Sequence, residues 1–151
     1  MSLLRNEWPE ISIEFMSDEV IELAQEVREV TGVPMVPSPI SEAHVRFSND
    51  RSLHCIGLVG GAQSRATDLY LINNLDAALF WMKAQSVSEL GGFGIYFDTH
   101  LSSQKRVMAH LDTRAGRLLW LCPDEPARRY VYYDNDPVLF LNLLAKEFSK
   151  L

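Results

Sequence analysis

His54 stands beside Cys55 in the stretch LHCIG, a pairing of imidazole and thiol that invites a nucleophile-and-base reading. A catalytic thiol needs its base within hydrogen-bond reach, and that base usually comes from a distant segment. Neighbours on a strand point to opposite faces, so His54 is badly placed to serve Cys55. His44, His100 or His110 would have to be brought to it by the fold. Free cysteines are mostly packed and idle, which is the expectation for Cys55. The same four histidines, with Asp98 or Asp112, are the candidates for a metal site. His44 and His54, like His100 and His110, are ten residues apart, which matches no short-range ligand spacing. No catalytic residue, metal or cofactor is therefore assigned from sequence.

Two other stretches could carry chemistry. IGLVGGAQSR (56–65) is glycine-bearing and comes after an apolar run, as a phosphate loop would. It lacks both the Gly-Lys-Ser/Thr ending and the Gly-x-Gly-x-x-Gly spacing, and the next segment reads as a strand, so it is a loop or bulge. The acid pairs Asp134/Asp136 and Asp124/Glu125 lie in turns, where Asp caps helices and shapes loops.

The charge is informative. From Glu7 to Glu29 eight acids face one base, Arg28, whereas residues 30–151 hold twelve of each sign. The whole net charge of −6 thus belongs to the first thirty residues. A solvated helix face is the ordinary destination for such charge, and a negative patch that steers a basic partner is the functional one. Clustered Lys and Arg for phosphate neutralisation are missing, which argues against nucleic acid. No run reaches the ~20 apolar residues of a membrane helix. Two cysteines in apolar contexts do not form a disulfide framework, and a cytoplasmic protein is expected.

The elements that must position these groups are set by periodicity. Ser17 is a natural N-cap, Val20, Leu23, Ala24, Val27 and Val30 recur at helical steps, and Gly32 is a stop, so residues 18–31 form an amphipathic helix. VPMVPSPIS (33–41) carries three prolines and reads as an extended connector. Residues 44–47 and 53–59 are expected as strands around an Asn49-Asp50 turn, and 68–72 as a third. Asn73 or Asn74 caps a middle helix, LDAALFWMKAQ, with Leu75, Leu79 and Met82 on one face. Gly91-Gly92 breaks the chain before four strands at 93–98, 106–111, 117–121 and 129–133, whose short turn-rich links predict an antiparallel meander. RLLWL is apolar on both faces, as a central strand would be. In 93–98 Phe93, Ile95 and Phe97 oppose Tyr96 and Asp98, and in 106–111 Val107, Ala109 and Leu111 oppose Arg106, His110 and Asp112 at the strand's end, as in a sheet with one wet face. Asp136 and Pro137 open a final helix whose stripe is Val138, Leu141, Leu144, Ala145 and Phe148, widened by Leu139, Phe140 and Leu143. The chain is thus predicted to be a single α+β domain over 1–151: a mainly antiparallel sheet of about six to seven strands with N-terminal, middle and C-terminal helices packed on it. Residues 1–9 are expected to be loosely ordered.

The C-terminal part is similar in layout to the SUKH superfamily of bacterial immunity and regulatory proteins. Asp112 to Gly116 matches the Asp-x-x-x-Gly turn of that superfamily, and Phe140-Leu141 the end of its Phe-rich helix motif. EVREVTGVP (26–34) resembles its Glu…Gly…Leu-Pro opening, with Val33 where the pattern has Leu. The helix ending in Asn-Gly that should come next is missing. The resemblance implies a cytoplasmic protein that binds and neutralises a toxin and has no catalytic residues. On this reading the partner is another protein, such as a basic toxin or effector, with no nucleic acid or membrane, and a homodimer is possible. Glu19, Glu22 and Glu26 on the acidic helix, with Tyr130 and Tyr132 as aromatic anchors, are the candidate partner-binding residues. The alternatives are a chaperone or adaptor for a secreted effector, and a small enzyme using Cys55 or the histidines.

Overall fold

The computed structural model of the protein describes residues 7–58 and 61–151. Of the stretch 1–9, residues 1–6 and their side chains fall outside this range, while Trp8 is a core residue, 3% exposed, whose indole donates to Thr67 Oγ1 at 3.1 Å. After one turn, α1 (Glu10–Ile13), comes α2 (Asp18–Thr31) with the expected boundaries. The Ser17 hydroxyl accepts the Val20 N–H, and Gly32 closes the helix with a left-handed φ of 66°.

Strand β1 (Met35–Pro37) arises inside the proline-rich connector, followed by β2 (Ala66–Leu71) and α3 (Ala77–Ala84). Then come β3 (Gly92–Tyr96), the small hairpin β4 (His100–Leu101) and β5 (Gln104–Lys105), β6 (Met108–Asp112), β7 (Leu118–Cys122), β8 (Val131–Tyr132) and α4 (Pro137–Phe148). Six strands form one sheet in the order β1-β2-β6-β3-β7-β8, and every pairing is antiparallel except β3 with β7. The α+β class and the mainly antiparallel six-stranded sheet are as expected, but the meander is not. β6 and β7 lie on either side of β3 instead of extending outward from it in turn.

Gly91 makes that arrangement possible. Residues 113–117 must cross the end of β3, and a Cβ on Gly91 would stand 2.1 Å from the Arg114 carbonyl oxygen. Only a bare α-carbon lets the connection pass so close. Gly91-Gly92 is thus a clearance and not a break, since Gly92 already belongs to β3.

Three further expectations are corrected. Residues 44–47 and 53–58 form no strands (Val59 lies outside the described residues). They belong to a loop whose pairing is limited to an isolated Arg46–Cys55 bridge. A strand needs a neighbour, and both sides of β2 are taken by β1 and β6, with Pro37 at the edge where its missing N–H does no harm. RLLWL is internal but lies next to the edge, because β6 and β3 hold the centre. The helix stripes are also rotated. In α3 the buried residues are Ala77, Phe80, Trp81 and Ala84, while Leu75 and Met82 are 70% and 72% exposed. In α4 they are Phe140, Leu143, Leu144 and Glu147, and Val138 and Leu141 face outward. Both helices are apolar over much of their circumference, so tertiary packing chose the face: Trp81 stacks on Phe93 at 4.5 Å and lies 5.7 Å from Phe140. The cap is as expected, with Asp136 accepting the Leu139 N–H at 2.9 Å.

The helices cover one face of the sheet, where Leu69, Phe93, Ile95, Ala109, Leu111 and Leu121 pack with Val20, Leu23 and Phe80. The other face is not simply wet. It carries a second buried cluster of Tyr70, Tyr96, Met108, Trp120 and Cys122. No described helix is long and apolar enough to cross a membrane.

Candidate functional site

The second face holds a polar site because two glycines on β3 leave room for it. Gly92 and Gly94 point the same way at a two-residue step, as do His110 and Asp112 on β6 and Asp68 and Tyr70 on β2. A Cβ on Gly92 would lie 2.1 Å from Asp112 Oδ2, and one on Gly94 2.3 Å from the Trp120 indole. The Asp112 carboxylate fills the first gap, accepting the Gly92 N–H at 2.7 Å. The Trp120 ring fills the second and donates through Nε1 to the Tyr96 hydroxyl at 2.9 Å. That hydroxyl is pushed well up from the ordinary phenol range, chiefly by burial.

Register then aligns three acids and imidazoles. Asp68 is the direct partner of His110 across β2 and β6, and the His110 ring spans two carboxylates. Its Nδ1 lies 2.9 Å from Asp68 Oδ1 and its Nε2 3.0 Å from Asp112 Oδ2. Burial alone would push His110 down, but these two hydrogen bonds and charges outweigh it and hold the imidazole above its ordinary pKa. Asp68 and Asp112 are likewise held low: burial raises them, and the hydrogen bonds from His110, with Arg114 for Asp112, overcome it. Arg114 grips both oxygens of Asp112, with Nε at 2.8 and 2.9 Å.

His54 arrives from the loop. Ser64 ties that loop to β2 by donating its hydroxyl to the His44 carbonyl, with the Leu53 carbonyl at 3.3 Å, and the Arg65 N–H donates to the Leu53 carbonyl. The His54 ring meets His110 edge to face at 4.9 Å, with its Nε2 3.1 Å from His110 Nδ1 and 3.6 Å from Asp68 Oδ1. Burial, aided by the charges of His110 and Arg46, pushes His54 down to about 4 although Asp68 opposes it. Its ring is therefore neutral near neutral pH, and Nδ1 is buried without a hydrogen-bond partner. His54, Asp68 and His110 are the three groups among the described residues whose ligand atoms come close enough to hold a metal ion, all within 4.8 Å.

These three side chains line a cavity of about 400 Å³. Its aromatic wall is Tyr96, Trp120, Tyr130 and Tyr132. Four arginines, Arg46, Arg51, Arg114 and Arg128, surround it. Arg114 is neutralised by Asp112 and Arg128 by Asp98, whereas among the described residues neither Arg46 nor Arg51 forms a direct ion pair, although the charge of Arg46 reaches Asp50. Arg128 also lies over the Tyr96 and Tyr130 rings, at 5.6 and 5.8 Å.

Other candidates fall elsewhere. Cys55 Sγ donates to Asp50 Oδ1 at 2.8 Å and touches the Ser48 hydroxyl at 2.9 Å; burial and the Asp50 carboxylate push its thiol up, against nucleophilic use. His44 is a satisfied structural residue, with Nδ1 2.8 Å from Thr67 Oγ1 and Nε2 2.8 Å from the Ser38 carbonyl. His100 is exposed on the hairpin, and Asp98 pairs with Arg128. Glu19, Glu22 and Glu26 line a groove with Glu89 on the helix-covered side. Tyr130, 49% exposed, and half-buried Tyr132 lie in the arginine cavity across the sheet. The five candidate partner-binding residues thus form two surfaces of opposite charge.

The metal-competent Asp68 was hidden inside the apolar-looking strand DLYLI. A signal did exist: small or polar residues at two-residue steps in three neighbouring strands, Asp68, Gly92/Gly94 and His110/Asp112. That signal is readable only once the register is known. Comparison with protein-family models, with curated proteins and with solved structures gave no match.

Proposed function

We propose that the protein is a non-enzymatic binding domain whose open-face cavity takes an anionic group attached to a planar ring. The observation that supports it is the convergence of four arginines and four aromatic rings on one cavity. Among the described residues Arg51 has no carboxylate partner and supplies free charge, and Tyr130, 49% exposed, and half-buried Tyr132 offer stacking faces at low entropic cost. Phenyl phosphate, titrated calorimetrically beside inorganic phosphate, is the test. Phenyl phosphate binds saturably and more tightly than phosphate, and Arg51→Ala or Tyr130→Ala weakens it by about tenfold. The reading is lost if neither compound binds, or if both variants bind as the unmodified protein does.

A second reading concerns the opposite face. Glu26 is pushed up by slight burial and by the neighbouring charges of Glu89 and Glu29, a repulsion that a basic partner would relieve. We propose that this groove is where a basic protein docks; the resemblance implies a protein partner, and the acidic charge of the groove is what suggests a basic one. Reversing Glu19, Glu22 and Glu26 to Lys abolishes association with such a partner from the native host and leaves phenyl phosphate binding intact. A partner that still binds the triple variant refutes it.

A further inference from the structure

We propose that His54 Nε2, His110 Nδ1 and Asp68 Oδ1 bind one divalent transition-metal ion of the zinc class, with Asp112 holding His110 from behind and a fourth position facing the cavity. The three atoms form a triangle with sides of 3.1, 2.9 and 3.6 Å. Its corners are about 1.9 Å from their common centre, so an ion slightly above that plane sits at the ~2.0–2.1 Å of zinc–nitrogen and zinc–oxygen bonds. The distances bring all three ligand atoms within reach of one ion.

A proton on His110 Nδ1 serves one edge of this triangle, the 2.9 Å contact with Asp68 Oδ1, and the ion takes its place. A single cation satisfies all three lone pairs at once. The chemistry of the set fits zinc, cobalt or iron(II) better than magnesium or calcium, which prefer oxygen alone.

The outer contact of His110 matches as well, whereas His54 Nδ1 is buried without a hydrogen-bond partner among the described residues. A ligating imidazole ordinarily donates its other N–H to a carboxylate, which fixes tautomer and ring orientation. His110 Nε2 meets Asp112 Oδ2 at 3.0 Å, and Asp112 is itself locked by the Gly92 N–H and by Arg114. Gly92 therefore contributes to the centre by making room for its outer carboxylate. Because the three ligands carry one negative charge, the ion keeps a net positive charge. Its fourth ligand is then an anion or water from the cavity.

The site does not depend on the anionic-ligand reading, and it is tested without that ligand. Chelator-treated protein in phosphate-free buffer near neutral pH is titrated with zinc chloride by calorimetry and with cobalt(II) by visible absorption. One zinc binds per chain at micromolar Kd or tighter, and cobalt gives ligand-field bands without a thiolate charge-transfer band. Asp112→Asn weakens zinc by ~10–100-fold, and His54→Ala or Asp68→Asn by more. Cys55→Ser leaves binding unchanged. Circular dichroism checks that each variant folds, and His54→Gln replaces His54→Ala if the latter does not. Absence of saturable zinc binding by the unmodified protein overturns the proposal. So does equal binding by a folded His54 variant, which would place the ion elsewhere. Either failure leaves the phenyl phosphate result standing on its own.

Discussion

Gly94→Ala tests whether the open face is built around the Trp120 ring. The new methyl carbon would stand 2.3 Å from Cε2 and Nε1 of Trp120 and 2.7 Å from Cζ2, well inside the 3.4 Å at which ordinary contact begins. The indole has no easy retreat: His110 lies 4.9 Å and Tyr132 6.2 Å from it, and its N–H is engaged by Tyr96. Overpacking of this kind costs ~1–3 kcal/mol, and loss of the buried Trp120–Tyr96 hydrogen bond adds about 1 kcal/mol. A total of ~2–4 kcal/mol lowers a urea midpoint by about 1–2 M at an m-value of ~2 kcal/mol/M. Gly61→Ala is the control, since nothing lies within 4 Å of a Cβ there and its φ is not left-handed. Through loss of unfolded-state entropy alone that variant gains ~0.4–1 kcal/mol. Both are measured by urea titration of ellipticity, with phenyl phosphate affinity as a second readout that falls only for Gly94→Ala. A Gly94→Ala midpoint within error of the parent would refute the packing account of the β3 glycines.

Three other outcomes concern the core and its edges. Phe80→Ala costs ~3–5 kcal/mol, whereas Met82→Lys on the same helix stays within about 0.5 kcal/mol; equal effects in urea titration would return the α3 core face to the Leu75–Met82 side. Asp136→Ala removes the acceptor for the Leu139 N–H and costs ~0.5–2 kcal/mol, while Asp134→Ala at the neighbouring turn costs less, by the same titration. Cys122 is fully buried, and its thiol is pushed up by burial and then by Asp98 to about 11. About one molecule in a thousand is thus thiolate at pH 8, so Cys122 resists alkylation in the native state while half-buried Cys55 reacts first. Rapid native labelling of Cys122, mapped by peptide mass, would contradict that burial.

Several parts of this protein are legible in its sequence alone. Ser17, the α2 stripe and Gly32 agree with one another at every local level, and the helix runs where they place it. Asp136-Pro137 marks its helix start for the same reason: capping is chemistry within four residues. The parity of β6 was also correct, with His110 and Asp112 opposed to Ala109 and Leu111, since alternation is a property of the extended chain.

What the sequence by itself determined, then, is what short-range geometry controls: helix ends, strand parity, the α+β class and the lopsided charge of the first thirty residues. Tertiary structure alone decided the rest. Which side of α3 and α4 is buried depended on Phe93 and its neighbours. Whether β6 continues or flanks β3 depended on a loop crossing over Gly91. The site lies wholly in this second category. Asp68, His54 and His110 are separated by 14 and 42 residues in the chain, and only the β2–β6 register and the loop pinned by Ser64 bring their ligand atoms within 3.6 Å. No local pattern encodes a distance between strands that are not yet paired. Gly92 and Gly94, which carried no chemistry of their own in the sequence, are the residues that make space for the chemistry of others.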